Sequence, residues 1–162
     1  MSNKYRQYSV QDFDSYDCLK LSKRFYFLLL FVLRGYIVWL LSVTNMKDRV
    51  SIIQWIYPET ALFYLSLVSG TGGLFVLLLI SLRRPDASKW VTTSWKHCRK
   101  IMVMALLFDV MANLVGFFYW QLLSVSWIMT QLGISLALIY LCYSSDRLSL
   151  NLQEFPQKVA KD

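Results

Sequence analysis

Two ionisable side chains that could do chemistry lie inside long apolar runs of the sequence. Arg34 interrupts the run FYFLLLFVLRGYIVWLLSV at 25–43, and Asp109 interrupts IMVMALLFDVMANLVGFFYW at 101–120. In a membrane helix, each charge alone would cost roughly 2.5–3.5 kcal/mol at the bilayer centre. If both runs are helices pointing the same way, Arg34 lies about 13 Å and Asp109 about 12 Å from the start of its run. The matching depths predict an ion pair between them.

Other polar and small residues reach the same depth. Asn113 follows Asp109 by one helical turn, so both side chains share a helix face. Gln131 lies at a comparable level in a later apolar run. We therefore predict an intramembrane polar cluster of Arg34, Asp109, Asn113 and Gln131. The residues predicted to allow close helix packing beside it are Gly70, Gly72 and Gly73. Two interpretations stay open: a structural clasp between helices, or part of a pathway for a proton, an ion or a substrate.

Four apolar runs must position this cluster. The chain has 162 residues, of which 56% are hydrophobic and only 17% are charged, whereas soluble domains are roughly a quarter charged. Runs at 25–43, 61–82, 101–120 and 122–143 are each near the length of about 20 residues that spans a bilayer. Their lack of period-two alternation excludes barrel strands. We predict an all-α polytopic membrane protein: four transmembrane helices in a small bundle, with a tight turn near 121–126.

Basic residues predict the orientation of this bundle. Five Lys and Arg residues lie in 1–24, six in 83–100 and three in 144–162, against only Lys47 and Arg49 in the loop at 44–60. The bias predicts cytoplasmic termini, with 1–24 and 144–162 as polar tails, and accounts for most of the net charge of +7. The residues expected to contact anionic headgroups are Arg83, Arg84, Arg99 and Lys100. A short interfacial helix at 89–100 would use Trp90 and Trp95 as anchors.

Motifs for catalysis, cofactor binding and metal binding are absent from the sequence. It contains no GxSxG, HExxH or P-loop pattern, and the pair His97-Cys98 lacks metal-ligand spacing. We expect no enzyme activity, no cofactor, no metal and no nucleic-acid partner. The expected partners are the lipid bilayer and either a membrane protein or further copies of the chain. The favoured function is a non-enzymatic accessory or assembly partner of a membrane complex. The alternatives are a small oligomeric transporter or channel subunit and, less favoured, a membrane-embedded enzyme.

Several short motifs resemble one family along nearly the whole chain. They are YDCLKLS at 16–22, LLLFVLRGYIVWLL at 28–41, IYPETALF at 56–63, RRP at 83–85 and YSSDRL at 143–148. Together they resemble the YfeZ-like inner-membrane proteins of gammaproteobacteria. The resemblance implies a bacterial inner-membrane location and four spans, and it carries over no catalytic residue, because that family has no established activity.

Overall fold

The computed structural model describes residues 8–14, 16, 18–45, 50–57, 59–119, 121 and 123–156. Lys47 and Arg49, which enter the predicted orientation, lie outside these ranges. Within them the chain is helical and contains no β-strand, which confirms the all-α prediction. After a 3₁₀ turn at Val10–Asp12, the helices are α1 Lys23–Val32, α2 Arg34–Thr44, α3 Ser51–Ile56, α4 Thr60–Ser81, α5 Lys89–Lys96, α6 Cys98–Phe118, α7 Val125–Tyr143 and α8 Asp146–Gln153.

Three of these helices are long and apolar enough to cross a membrane by themselves. Helices α4, α6 and α7 have 22, 21 and 19 residues and mean hydropathies of 2.0, 2.2 and 1.7. At 1.5 Å per residue they are about 33, 31 and 28 Å long, which matches a hydrocarbon core of about 30 Å. They correspond to the predicted runs 61–82, 101–120 and 122–143. The predicted turn lies between α6 and α7, where Gln121 has a φ of 50° and the Ser124 side chain caps α7.

The first predicted run, 25–43, is not one straight helix. Helices α1 and α2 meet at Leu33 with a bend of 65°, so they form a fourth span only if the bent pair is counted as one. Arg34 Nη1 donates to the carbonyl oxygen of Phe31 at 3.3 Å. A straight helix would offer that oxygen to the backbone N–H of Gly35. A side chain that enters the backbone hydrogen-bond ladder is one of the recognised causes of a helix kink.

The largest apolar core fills the half of the bundle that contains the start of α6. It is built around side chains that are at most 2% exposed: Phe25, Leu28, Val76, Leu79, Met102 and Leu106. A second, smaller apolar cluster occupies the opposite end, where side chains of α2, α3, α4, the end of α6 and the start of α7 meet. Its buried members include Val38, Tyr57, Phe63 and Ile128.

The segments next to the termini are not simple polar tails, contrary to the sequence interpretation. The segment 18–22 hydrogen-bonds to α8 and to Glu154 just after it, and α8 in turn contacts α5. We call segment 18–22, α5 and α8 the terminal cap. Asn151 is 0% exposed; its Nδ2 donates to Leu19 O at 2.7 Å, and its Oδ1 accepts from Ser22 N at 3.2 Å. Glu154 Oε2 accepts from Leu19 N at 2.8 Å. The cap forms because α8 buries Leu148 and Leu152 against the core.

Trp95 belongs to this cap and not to the membrane interface. Its side chain is 1% exposed, and its indole Nε1 donates to Asn151 O at 3.0 Å. The prediction of Trp95 as an interfacial anchor is therefore wrong, whereas Trp90, five residues earlier on α5, is exposed. The difference arises because α5 is amphipathic and turns Val91 and Trp95, one turn apart, toward the core.

Candidate functional site

The two ionisable side chains singled out from the sequence are in direct contact. Arg34 Nη2 donates to both carboxylate oxygens of Asp109, at 2.8 Å each. Asp109 is 4% exposed, so its charge is removed from solvent. Arg34 stands at the first position of α2, and its guanidinium also lies over the Phe31 ring at 4.4 Å from the centroid. The helix break thus brings the guanidinium to the middle of α6.

The two amide side chains of the predicted cluster also contact Asp109. Gln131 Nε2 donates to Asp109 Oδ2 at 2.9 Å. Asn113 Nδ2 donates to the backbone oxygen of Asp109 at 2.7 Å and lies 3.5 Å from Oδ2. The structure therefore brings together all four residues that the sequence places at one depth. Each carboxylate oxygen accepts at least one hydrogen bond, which is the condition under which a buried ion pair is tolerated.

A cavity of about 130 Å³ adjoins the cluster on the side of α3 and the start of α7. It has room for several water molecules. Its polar wall is formed by Arg34, Asp109, Asn113 and Gln131, together with a second hydrogen-bonded pair, Tyr57 OH and Ser66 Oγ, at 2.8 Å. Apolar wall residues include Ile56, Leu62, Leu123 and Trp127.

Sequence reasoning missed the pair of Tyr57 and Ser66. In the sequence, Tyr57 stands out only as part of the motif IYPETALF at 56–63, and Ser66 is one of several hydroxyl-bearing residues in an uncharged run. The signal available was Ser66 itself, a small polar residue in the middle of α4. Its partner could not be identified, because Tyr57 approaches it only once α3 folds back over α4.

On the other side of the cluster the bundle is packed with apolar side chains. One and two turns before Asp109, α6 buries Leu106 and Met102, both 0% exposed. Val76 and Leu79 of α4 are equally buried at these levels. The cluster thus borders a cavity on one side and a close-packed apolar core on the other, and low-dielectric packing of this kind opposes the passage of ions.

The three glycines of α4 lie where neighbouring helices approach closely. A Cβ on Gly70 would come within 2.8 Å of the Tyr36 ring, and one on Gly73 within 3.0 Å of Val32 Cγ1. Gly70 and Gly73 therefore make room for the bent pair, whereas Gly72 faces Ala105 of α6. Gly35 is a further position of close approach, and no pattern in the sequence points to it. A Cβ added at Gly35 would overlap Ser66 Oγ.

The four basic residues predicted to meet headgroups differ in their surroundings. Arg84 and Lys100 are exposed, but Arg83 and Arg99 are only partly so. The Arg83 guanidinium lies 4.9 Å from the Trp95 ring centroid, and its Nη2 donates to Glu154 O at 3.4 Å. The Arg99 guanidinium lies 5.3 Å from the ring centroid of Tyr143. Arg83 is therefore part of the terminal cap, while Arg99 remains at the surface of the bundle.

The fold and the site together define a class: an all-α protein with three or four helices apolar enough to cross a membrane and a buried ion pair between two of its apolar segments. Within the part of the chain that the structure describes, no group of three His, Cys, Asp or Glu side chains is placed to hold a metal. The family model for DUF2919, proteins of unknown function, matches residues 8–153, and the chain belongs to this family. No curated protein and no solved structure matches the chain.

Proposed function

We propose that the protein is a non-enzymatic component of the bacterial inner membrane that acts as an accessory or assembly partner of a larger membrane complex. In this proposal, Arg34, Asp109, Asn113 and Gln131 form a structural clasp that fixes α1, α2, α6 and α7 relative to one another. The YfeZ-like motifs support the finer family assignment and the inner-membrane location. The distribution of Lys and Arg supports cytoplasmic termini.

One observation carries the clasp interpretation: Asp109 is fully engaged by partners of the same chain. Arg34 neutralises it, and Gln131 and Asn113 supply further donors. A proton carrier needs a carboxylate that exchanges protons with water on both sides. Here the packed side chains of Met102, Leu106 and Val76 fill the bundle beyond Asp109. A clasp needs no path across the membrane, but it does require close packing of the helices around the ion pair.

The accessory role is supported by the short connections and the small cavity of the fold. The described connections between the long helices are short or folded onto the bundle, and the cavity beside Asp109 is small, about 130 Å³. Ligand pockets for small molecules commonly have about 300–1,000 Å³. Such a protein offers surfaces to other proteins more readily than a site for its own substrate.

The direct test is purification of the full chain from its native membrane in nanodiscs, followed by native mass spectrometry. The proposal expects a reproducible complex with at least one other membrane protein, at a fixed stoichiometry. The matched control is the same purification of the Arg34→Ala variant, which should lose the partner in proportion to its loss of folded protein. Recovery of the chain alone, with its partner set indistinguishable from that of an unrelated inner-membrane protein, would refute the accessory role.

A second candidate is a small oligomeric transporter or channel subunit that uses the layer of Arg34 and Asp109. The cavity at this layer, with four polar residues of the cluster in its wall, favours it. The same mass spectra distinguish the two, since a transporter of this size requires several copies of the chain around one pathway. Reconstitution in liposomes adds a functional readout: Asp109→Asn should abolish a measured flux if the layer conducts, and no flux should exist if it is a clasp.

A further inference from the structure

A basic groove lies where α6 begins and α7 ends, beside the terminal cap. It has a volume of about 520 Å³, and Lys96, Arg99 and Lys100 provide its charge. Tyr143 and Gln153 are among the other residues in its wall. None of the described residues that line the groove is acidic, so its three positive charges face a common concave space.

These cations are not neutralised by the chain itself, as far as the structure describes it. The ion pairs between described residues are Arg34 with Asp109 and Arg147 with Asp12, and neither involves the groove. Lys96 and Lys100 are exposed, and Arg99 is held in place by stacking on Tyr143. A concave site with three uncompensated cations attracts an anion.

The position of the groove indicates which kind of anion would reach it. Helix α6 begins at Cys98 and α7 ends at Tyr143, and both are long enough to cross a bilayer. The groove is thus level with the polar end of two candidate spans, where phospholipid headgroups lie. Basic pockets between transmembrane helices at this height are suited to anionic lipid headgroups.

A second groove, apolar and about 500 Å³ in volume, starts at the same residue. Lys100 lines both grooves; from it the apolar one follows α6 past Met104 to Phe108 and is closed on the α4 side by Thr71 and Gly72. From Lys100 to Phe108 the helix rises about 12 Å. This is most of the roughly 15 Å that one leaflet contributes to the hydrocarbon core.

We propose that the two grooves together bind one anionic phospholipid, with its phosphate between Arg99 and Lys100 and one acyl chain along Met104 and Phe108. The charge selects an anionic headgroup, and the apolar groove selects a lipid over a free phosphate. The inference requires that the chain lies in a bilayer, and it is independent of the accessory role.

The test measures lipid retained by the delipidated full chain in native mass spectrometry, with phosphatidylglycerol and phosphatidylcholine as probes. Wild type is expected to retain phosphatidylglycerol in preference to phosphatidylcholine. Since each basic residue near a membrane surface contributes roughly five-fold to the affinity for anionic lipid, Arg99→Gln with Lys100→Gln should weaken retention about 25-fold. Lys89→Gln removes an exposed charge outside both grooves and is the matched control, with retention unchanged.

A variant in the apolar groove separates a lipid from a free anion. Thr71→Trp fills that groove from the α4 side and leaves all three basic side chains in place, so it should reduce phosphatidylglycerol retention while leaving any binding of inorganic phosphate unaffected. If the double variant does not fold, exposed Lys96→Gln provides the same test with an expected loss of about five-fold. Equal retention of both lipids by wild type, an equal loss in Lys89→Gln, or full retention in Thr71→Trp would overturn the proposal.

Discussion

Asp109 accepts hydrogen bonds from three side chains. The number and charge of these donors determine how much each single substitution should lower the free energy of unfolding. The pair with Arg34 is buried enough that removal of one partner leaves an uncompensated charge. The contribution of this ion pair to the free energy of unfolding is therefore best measured by comparing single with double substitutions. A single substitution leaves one charge unpaired, and the cost of that charge is far larger than the net contribution of the pair.

Asp109→Ala is expected to lower the free energy of unfolding by about 3 kcal/mol, since Arg34 remains charged and unpaired in a low-dielectric site. Arg34→Leu with Asp109→Leu should lose less than either single change, and the swap Arg34→Asp with Asp109→Arg should restore folded, inserted protein. Reversible unfolding in mixed micelles, followed by circular dichroism, measures each value. Thr130→Val, which alters an exposed hydroxyl bonded only to its own helix, is the control. A swapped protein that fails to insert would contradict the pairing.

Gln131→Leu should have a smaller effect on the same free energy, about 1 kcal/mol, because interhelical hydrogen bonds in membranes are individually weak. Arg34 continues to neutralise Asp109 in this variant, so no charge is left unpaired. The same unfolding assay applies. A loss equal to that of Asp109→Ala would mean that Gln131, and not Arg34, is the principal partner of the carboxylate.

At the scale of elements, the bend between α1 and α2 depends on close approaches that only small residues allow. Gly35 lies against Ser66, and Gly70 against Tyr36, so the start of α2 sits directly on α4. The bend shortens the end-to-end length of the pair to about 27 Å, compared with about 31 Å for the same residues in a straight helix. The pair therefore reaches less far than α4 and closes one side of the cavity.

Gly35→Ala should destabilise the protein by about 1–3 kcal/mol, because the new methyl group overlaps Ser66 and the helices must separate. Gly133→Ala is the matched control: its Cβ would have no heavy atom within 4 Å, and alanine is the better helix former by up to about 1 kcal/mol. Thermal melting of the two purified variants side by side checks the difference. Equal melting temperatures would show that α2 does not press on α4.

The terminal cap is a second feature at the scale of elements, and the buried side-chain amide of Asn151 holds it together. Asn151→Ala removes the partners of Leu19 O and Ser22 N, and each buried group left unpaired costs about 1–3 kcal/mol. Amide hydrogen exchange at Ser22 should then be at least about ten-fold faster. Gln153→Ala, an exposed change on the same helix, should leave the exchange rate as in wild type. Unchanged exchange in Asn151→Ala would show that the cap is held by other contacts.

At the scale of the whole molecule, the positive charges and the terminal cap lie at the same end of the bundle. The segment 18–22 and α8 meet in the cap, so the described segments nearest the two termini lie at one end of the bundle. The bias of Lys and Arg predicts that this side faces the cytoplasm.

A fluorescent protein that matures only in the cytoplasm, fused after Asp162, should therefore be fluorescent, whereas alkaline phosphatase at the same site should be inactive. The reciprocal fusion, phosphatase inserted within residues 46–49, is the control and should be active. The reverse pattern of reporter activities would mean that the orientation is opposite to the predicted one. It would then place the basic groove of Lys96, Arg99 and Lys100 on the outer face.

The sequence by itself determined the helical class, three of the long helices and the composition of the polar cluster. These properties can be predicted along one chain, because the hydropathy of a run and the depth of a charge within it do not depend on what packs against it. The pairing of Arg34 with Asp109 follows from their matching depths alone, because an isolated charge inside a membrane has few other ways to be stabilised.

Tertiary structure alone decided the bend at Leu33, the pairing of Tyr57 with Ser66 and the terminal cap. The cap depends on contacts between segments far apart in the chain: Ser22 and Asn151 are 129 positions apart. The pair of Tyr57 and Ser66 is closer in sequence, but it forms only because the chain turns between α3 and α4. Polar residues near the termini resemble a solvated tail in sequence, and only the fit of α8 onto segment 18–22 buries Asn151. The physical reason is that burial of a polar group depends on the partner that satisfies it, and no local pattern identifies that partner.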